Sequence, residues 1–312
     1  MNNKQIKRRT FNFSFSPSSL FILCAGFLTL NLSFALQMKM LVNGIEAQHF
    51  DISTDKAQLV ELSFFDRNTG EKITDFEAMH EKFMHMVIVK EDLSTFAHVH
   101  PTYDPQRNVF YIVLNRHHED EDNEAANTAL EKEGRYLLYT EVKRKKLGSL
   151  KKTETKIEVL GEDIQLQPKL DQMDNNQTIT KYFNQDGTLG SEGSFYRARL
   201  KIARTPAAGG HENIHFRLNL NEKDSSTQDY APLSNPQTWL MMAAHGLLLS
   251  LEENVDGKRS FAHAHTMAIP PKGEDYKFNE FNRGQWNGKT AKFWIQLKSH
   301  DKILSLPFVF EL

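Results

Sequence analysis

The segment Met84–His85–Met86–Val87–Ile88–Val89–Lys90–Glu91–Asp92–Leu93–Ser94–Thr95–Phe96–Ala97–His98–Val99–His100 sets the fold class of this chain. Apolar, β-branched segments flank a polar centre, which predicts two short strands joined by a turn. Side chains alternate faces along a strand, so His98 and His100 share a face. If Val89 faces Phe96 across the hairpin, Val87 faces His98 and His85 faces His100. Opposed residues have Cβ atoms roughly 4.5–5.5 Å apart, close enough for three imidazoles to meet. The chain writes the pattern a second time, as His245 followed by His263–Ala264–His265. Pairing Leu249 with Phe261 sets Leu247 against His263 and His245 against His265. The second loop is five residues longer, yet the same register brings the same residues together.

Outward from these hairpins the chain reads as β. Residues 57–65, 83–89, 96–100, 109–114, 135–143 and 156–160 form one series of expected strands. Residues 196–202, 214–220, 244–251, 261–265, 289–298 and 304–310 form another. Short strands at this spacing, with little helical periodicity, predict an all-β chain of two tandem immunoglobulin-like β-sandwich domains. Phe96–His100 and Phe261–His265 agree at four of five positions, which supports an internal repeat. The expected organisation is a first domain over 36–161, a polar linker over 162–177 carrying Pro168, and a second domain over 178–312 that is a degenerate repeat of the first. A weak helical stretch, 123–132, reads as an insert in the first domain.

The N-terminal segment is different in kind. Lys4, Lys7, Arg8 and Arg9 precede an apolar run from Leu20 to Leu32, and Ser33–Phe34–Ala35 ends it. This order reads as a secretory signal peptide over 1–35, cut after Ala35, with a retained anchor as the alternative. Cutting there removes Cys24, the one cysteine, and leaves 34 Lys+Arg against 40 Asp+Glu, a formal charge of −6. Such a balance argues against nucleic acid as a partner. The expected location is the periplasm or the exterior. An exported chain without thiols draws soft metal ligands from histidine and methionine.

The expected metal ligands are therefore His85, His98 and His100 in the first domain, with His80 or Met79 completing the shell, and His245, His263 and His265 as a second site. Met84 and Met86 point away from His85 on the strand and read as core. Met38 and Met40 would capture copper or fray at the new N-terminus. His117–His118 beside Glu119–Asp122 reads as a solvated acidic loop. His49, His211, His215 and His300 carry no assignment. Asp92 falls in a turn, where aspartate is ordinary.

With those residues in place, residues 84–101 resemble the M-H-L-V-V-V-x-x-D-L-x-x-F-x-H-V-H-P signature of exported bacterial β-sandwich domains of the YtkA-like and FixH-like type. The second half resembles them less: Gly246 follows the histidine, Asp-Leu is lost in a longer loop, and Thr266 replaces proline. The resemblance implies an immunoglobulin-like sandwich and an association with copper or other heavy-metal handling.

The functional expectation is an exported metal-binding protein for copper, with zinc as the alternative ion, acting as chaperone, buffer or resistance factor. Its expected partners are the ion and a metal transporter or another periplasmic metal-handling protein. A structural or interaction protein of tandem sandwiches without metal is the alternative. A metal-dependent hydrolase is more distant, because no nucleophile elbow, phosphate-binding glycine loop or reactive cysteine is present.

Overall fold

In the computed structural model, twenty strands and no helix account for the regular structure of the described residues. Those residues are 36–159 and 169–312, apart from 43, 47–57, 115–133, 146–149, 207–211, 240–241, 256, 283–285 and 287. The expectations for the signal segment, the 123–132 helix, His49, His117, His118 and His211 lie outside them. No helix among the described residues is long and apolar enough to cross a membrane.

Four antiparallel sheets organise the chain. The first contains β1 (Leu36–Val42), β2 (Ile45–Glu46), β3 (Gln58–Asp66), β7 (Thr102–Asp104) and β8 (Val109–Leu114), in the order β2-β1-β3-β8-β7. The second runs β10-β9-β5-β6, from β5 (Met84–Lys90), β6 (Phe96–Val99), β9 (Gly134–Arg144) and β10 (Leu150–Val159), with β4 (Phe76–Glu77) also on β9. The third runs β11-β12-β13-β14 from β11 (Thr178–Phe183), β12 (Tyr196–Pro206), β13 (Glu212–Lys223) and β14 (Tyr230–Pro232), with β18 (Tyr276–Asn282) also on β13. The fourth runs β15-β19-β16-β17 from β15 (Pro236–Gln237), β16 (Ala244–Glu253), β17 (Arg259–Thr266) and β19 (Thr290–Ser299), with β20 (Lys302–Glu311) on β19.

The second and fourth sheets have the same wiring. The path β6-β5-β9-β10 corresponds to β17-β16-β19-β20, and β4 lies against β9 as β15 lies against β19. The path β1-β3-β8 likewise corresponds to β12-β13-β18. The internal repeat is therefore a repeat of topology. Sheets one and two close on Val60, Leu62, Phe64, Met86, Ile88 and Phe110, among others. Sheets three and four close on a larger aromatic core that includes Phe216, Phe278, Phe293 and Phe308. Each pair is a β-sandwich.

Several local expectations change. Met38 and Met40 belong to β1, which pairs with β3 along its whole length. Met40 is buried in the first core and Met38 packs against it, so neither is a frayed, copper-capturing end. Residues 169–177, expected as linker, fold onto the second lobe. The Asp171 amide donates to the Val309 carbonyl, the Val309 amide donates to Asp171 Oδ2, and Lys181 pairs with the same carboxylate.

The two sandwiches also pack on each other. Val87, Val89, Leu93, Leu137 and Tyr139 of the first meet Leu247, Leu249 and Trp294 of the second in one buried cluster. Sheets two and four thus stack face to face and are covered on both sides. That accounts for β5, in which all seven residues are buried: Met84, Met86 and Ile88 fill the sandwich interior, while His85, Val87 and Val89 face the other lobe. Removing such Val and Leu side chains from water contributes about 1.5–3 kcal/mol each.

The contacts across this interface are reciprocal. Phe96 of the first hairpin lies on Trp294 of β19, with ring centroids 4.9 Å apart. Phe261 of the second hairpin stacks on Tyr139 of β9 at 4.5 Å and 8°. Phe96 corresponds to Phe261, and Tyr139 to Trp294, so the lobes meet like the halves of a two-fold dimer. The Lys292 ammonium, also buried, donates to the Leu93 carbonyl across the boundary at 2.5 Å.

Candidate metal centre

The hairpin registers are as the sequence predicts. Val89 pairs with Phe96 and Val87 with His98; Leu249 pairs with Phe261, Leu247 with His263 and His245 with His265. Both hairpins therefore present their histidines on the face turned to the opposite lobe. The expectation of two separate sites is corrected by this packing: all six imidazoles gather in one cluster at the pseudo-two-fold. His85 and His263 rings lie 5.5 Å apart, His98 and His263 4.7 Å, and His98 and His245 5.0 Å. His85, His98, His100 and His245 are all nearly inaccessible to solvent.

Three overlapping triads have ligand atoms close enough to hold an ion: His85–His98–His100, His85–His263–His265 and His98–His245–His263. The second and third draw on both lobes. Any two triads share one imidazole, so three-coordinate occupancy allows one ion at a time.

The surroundings fix which nitrogens face inward. His85 Nε2 lies 3.1 Å from the Met79 carbonyl. A carbonyl only accepts, so His85 carries its proton on Nε2 and offers a lone pair on Nδ1. His98 Nε2 and His100 Nε2 approach that Nδ1 at 3.3 and 3.2 Å. The second lobe repeats the device: His245 Nε2 donates to the Trp239 carbonyl at 3.3 Å. In each lobe the accepting carbonyl sits at an isolated bridge, Met79–Lys82 or Trp239–Met242. Met79, expected as a sulfur ligand, thus serves through its backbone.

Burial sets the protonation of the cluster. It pushes His98 and His100 well below the usual histidine range, and the neighbouring imidazoles reinforce the effect. His85 is lowered by burial although the Met79 carbonyl opposes it. His245 is brought down to about 4 and His265 lower still, again by burial first. These rings are neutral at pH 7, the form that binds metal. His245 Nδ1, His100 Nδ1 and His265 Nε2 are buried without a hydrogen-bond partner. Such groups ordinarily meet a water or an ion.

One carboxylate breaks the two-fold. Glu141 lies opposite His85 on β9, and Gln296 lies opposite His245 on β19. Glu141 Oε2 accepts from His263 Nδ1 at 3.2 Å, with both side chains almost fully buried. A cavity of about 10 Å³ lies between the lobes, lined by His98, His245 and His263 with Val87, Leu247 and Trp294. That is room for roughly one water or ion.

The remaining candidates fall elsewhere. His80 is in none of the three triads but lies over His265, with ring centroids 4.8 Å apart. Asp92 is a turn residue: it accepts from the Ser94 amide at 2.8 Å and pairs with Lys90. His215 bonds Thr205, and His300 contacts Ser234 and Ser299. Met84 and Met86 are core, as expected. Gly246, a departure from the first hairpin, has a packing cause. A Cβ there would fall 2.8 Å from Phe278 and Phe293.

Residues 43–160, most of the first lobe, match the model of a domain of unknown function, DUF8832. No curated protein matches the chain. A crystal structure of the serine-rich repeat protein Srr2 from Streptococcus agalactiae aligns over 88% of this chain and 92% of that one, at 8% identity and a TM-score of 0.16. At that score the likeness bears on neither fold nor function.

Proposed function

We propose that the protein carries one transition-metal ion, copper(I), in the histidine cluster between its lobes, as an exported chaperone, buffer or resistance factor. The observation that carries this reading is the spacing around His85 Nδ1. Nitrogens bound at about 2.0–2.1 Å stand roughly 3.3–3.4 Å apart in tetrahedral geometry and roughly 3.5–3.6 Å apart in trigonal geometry. His98 Nε2 and His100 Nε2 lie at 3.3 and 3.2 Å from that atom, and the triad's ligand atoms all lie within 4.8 Å of one another, so an ion is accommodated when the rings shift by a few tenths of an ångström.

The donors His85, His98, His100, His245 and His265 are all lowered by burial and uncharged at pH 7, and buried Glu141 accepts from His263. Imidazole suits copper, and Cu(I) accepts an all-imidazole, three-coordinate shell. His85, His98, His100, His245, His263 and His265 supply the donors, and Glu141 and the Met79 and Trp239 carbonyls orient them.

Titration of the metal-free protein with copper(I) against a chromophoric chelator tests the reading. The expected endpoint is one ion per chain, with affinity falling at least tenfold in His98→Ala, since His98 serves two of the three triads. An apparent dissociation constant weaker than about micromolar, near −8 kcal/mol, would return the cluster to a purely structural role.

A further inference from the structure

The buried triads leave open how an ion reaches them, and His80 supplies a route. Its side chain is half-buried, its ring centroid is 4.8 Å from that of His265 and 6.3 Å from that of His85. From His265 the rings continue inward without a gap: His263 at 4.3 Å, then His98 at 4.7 Å and His245 at 5.0 Å from His98. Exposure falls along the same path, from half-buried His80 and His265 to buried His98 and His245.

The backbone at this point is unusual. His80 and Glu81 both have positive φ, 52° and 67°, inside a tight turn closed by the Met79–Lys82 bridge. Asparagine or glycine is the ordinary occupant of such positions, and histidine there costs stability. The turn also bears the Met79 carbonyl that orients His85. One strained turn therefore holds both a half-exposed imidazole and the group that orients His85, a ligand shared by two triads.

Resting on the copper reading above, we propose that His80 is the transfer ligand of the site. It binds the ion first, at the half-exposed edge of the cluster, and hands it to His265, from which it moves inward by exchanging one imidazole at a time. At each step a new metal–nitrogen bond forms before an old one breaks, and the ion's charge is unchanged. No bare ion has to enter the dry interior, where desolvation would be prohibitive. The shared residues make this possible, because adjacent triads differ without being disjoint. The partner that fits is a donor or acceptor holding copper(I) through few, exchangeable soft ligands. Unloading uses the same route in reverse.

The test is the rate of transfer in His80→Asn, which keeps a residue tolerant of positive φ. Copper(I) is supplied as its bicinchoninate complex to metal-free protein and followed by stopped-flow loss of the complex's colour. The expected result is an unchanged endpoint of one ion and an unchanged equilibrium affinity, with loading and unloading slowed at least tenfold alike. His300→Asn is the control, because His300 has a similar backbone, φ 52°, and contacts Phe195 and Ser234 instead of the cluster. Equal rates in His80→Asn and wild type overturn the proposal. So does a lower affinity or endpoint, which would make His80 a resident ligand. Wild-type protein that takes up no copper overturns the copper reading itself.

Discussion

Lowering the pH of the metal-free protein should destabilise it well above the range where carboxylates titrate. His245 is brought from 6.5 to about 4 by burial. Between those values the unfolded chain binds a proton there and the folded chain does not, so stability falls as pH falls. From pH 7 to pH 5 this one histidine accounts for a loss of about 2 kcal/mol, and the loss levels off below pH 4. His85, His98, His100 and His265 are shifted the same way, so the total should exceed that figure. The assay is urea unfolding in the presence of a chelator, at half-unit pH steps, with the slope m checked for constancy. A free energy of unfolding flat from pH 7 to 5, or rising toward acid, would refute a dry, neutral cluster.

Further perturbations probe the same architecture. Glu141→Gln makes the two lobes alike at this position and should cost 10–100-fold in copper(I) affinity, read by chelator competition, with the melting temperature little changed; unchanged affinity would remove the orienting role. Gly246→Ala places a methyl against Phe278 and Phe293 and should cost about 1–3 kcal/mol, measured by urea unfolding. Phe261→Ala removes the stacking on Tyr139 and should lose about 0.5–1.5 kcal/mol beyond the area it uncovers. A double-mutant cycle with Tyr139→Ala isolates that coupling; a coupling near zero would mean that the lobes do not dock through this pair.

Much of the fold was legible because strands carry their register in their alternation. Both histidine hairpins pair as the alternation and loop lengths require, and most expected strands lie within a few residues of their observed limits. β1 is not legible because Met38 and Met40 stand at the expected new N-terminus, where a chain end frays unless a partner strand holds it, and that partner, β3, begins sixteen residues after β1 ends. β18, Tyr276–Asn282, hides because Asn279–Glu280 interrupts the alternation between Phe278 and Phe281, where the pairing with β13 shifts register. The docking of the lobes is harder to read. Its signal lies in β5, β16 and β19, where apolar residues occupy both faces: Val87 and Val89 beside Met86 and Ile88, Leu247 and Leu249 beside Leu248, Trp294 beside Phe293 and Ile295. A two-layer sandwich leaves one face of each sheet wet, whereas an unbroken apolar run marks a strand covered on both sides. No local pattern states which surface supplies the second cover, and so six histidines read as two sites. Glu141 was equally hidden, because its relation to His263 spans 122 residues and exists only once the lobes meet.

X-ray absorption at the copper edge, on protein loaded with one equivalent of copper(I), reads the donor set itself. Imidazole nitrogens alone at about 2.0 Å are the predicted first shell, with no further copper retained when a second equivalent is offered. A sulfur shell, or two ions held per chain, would contradict a single histidine site shared between the lobes.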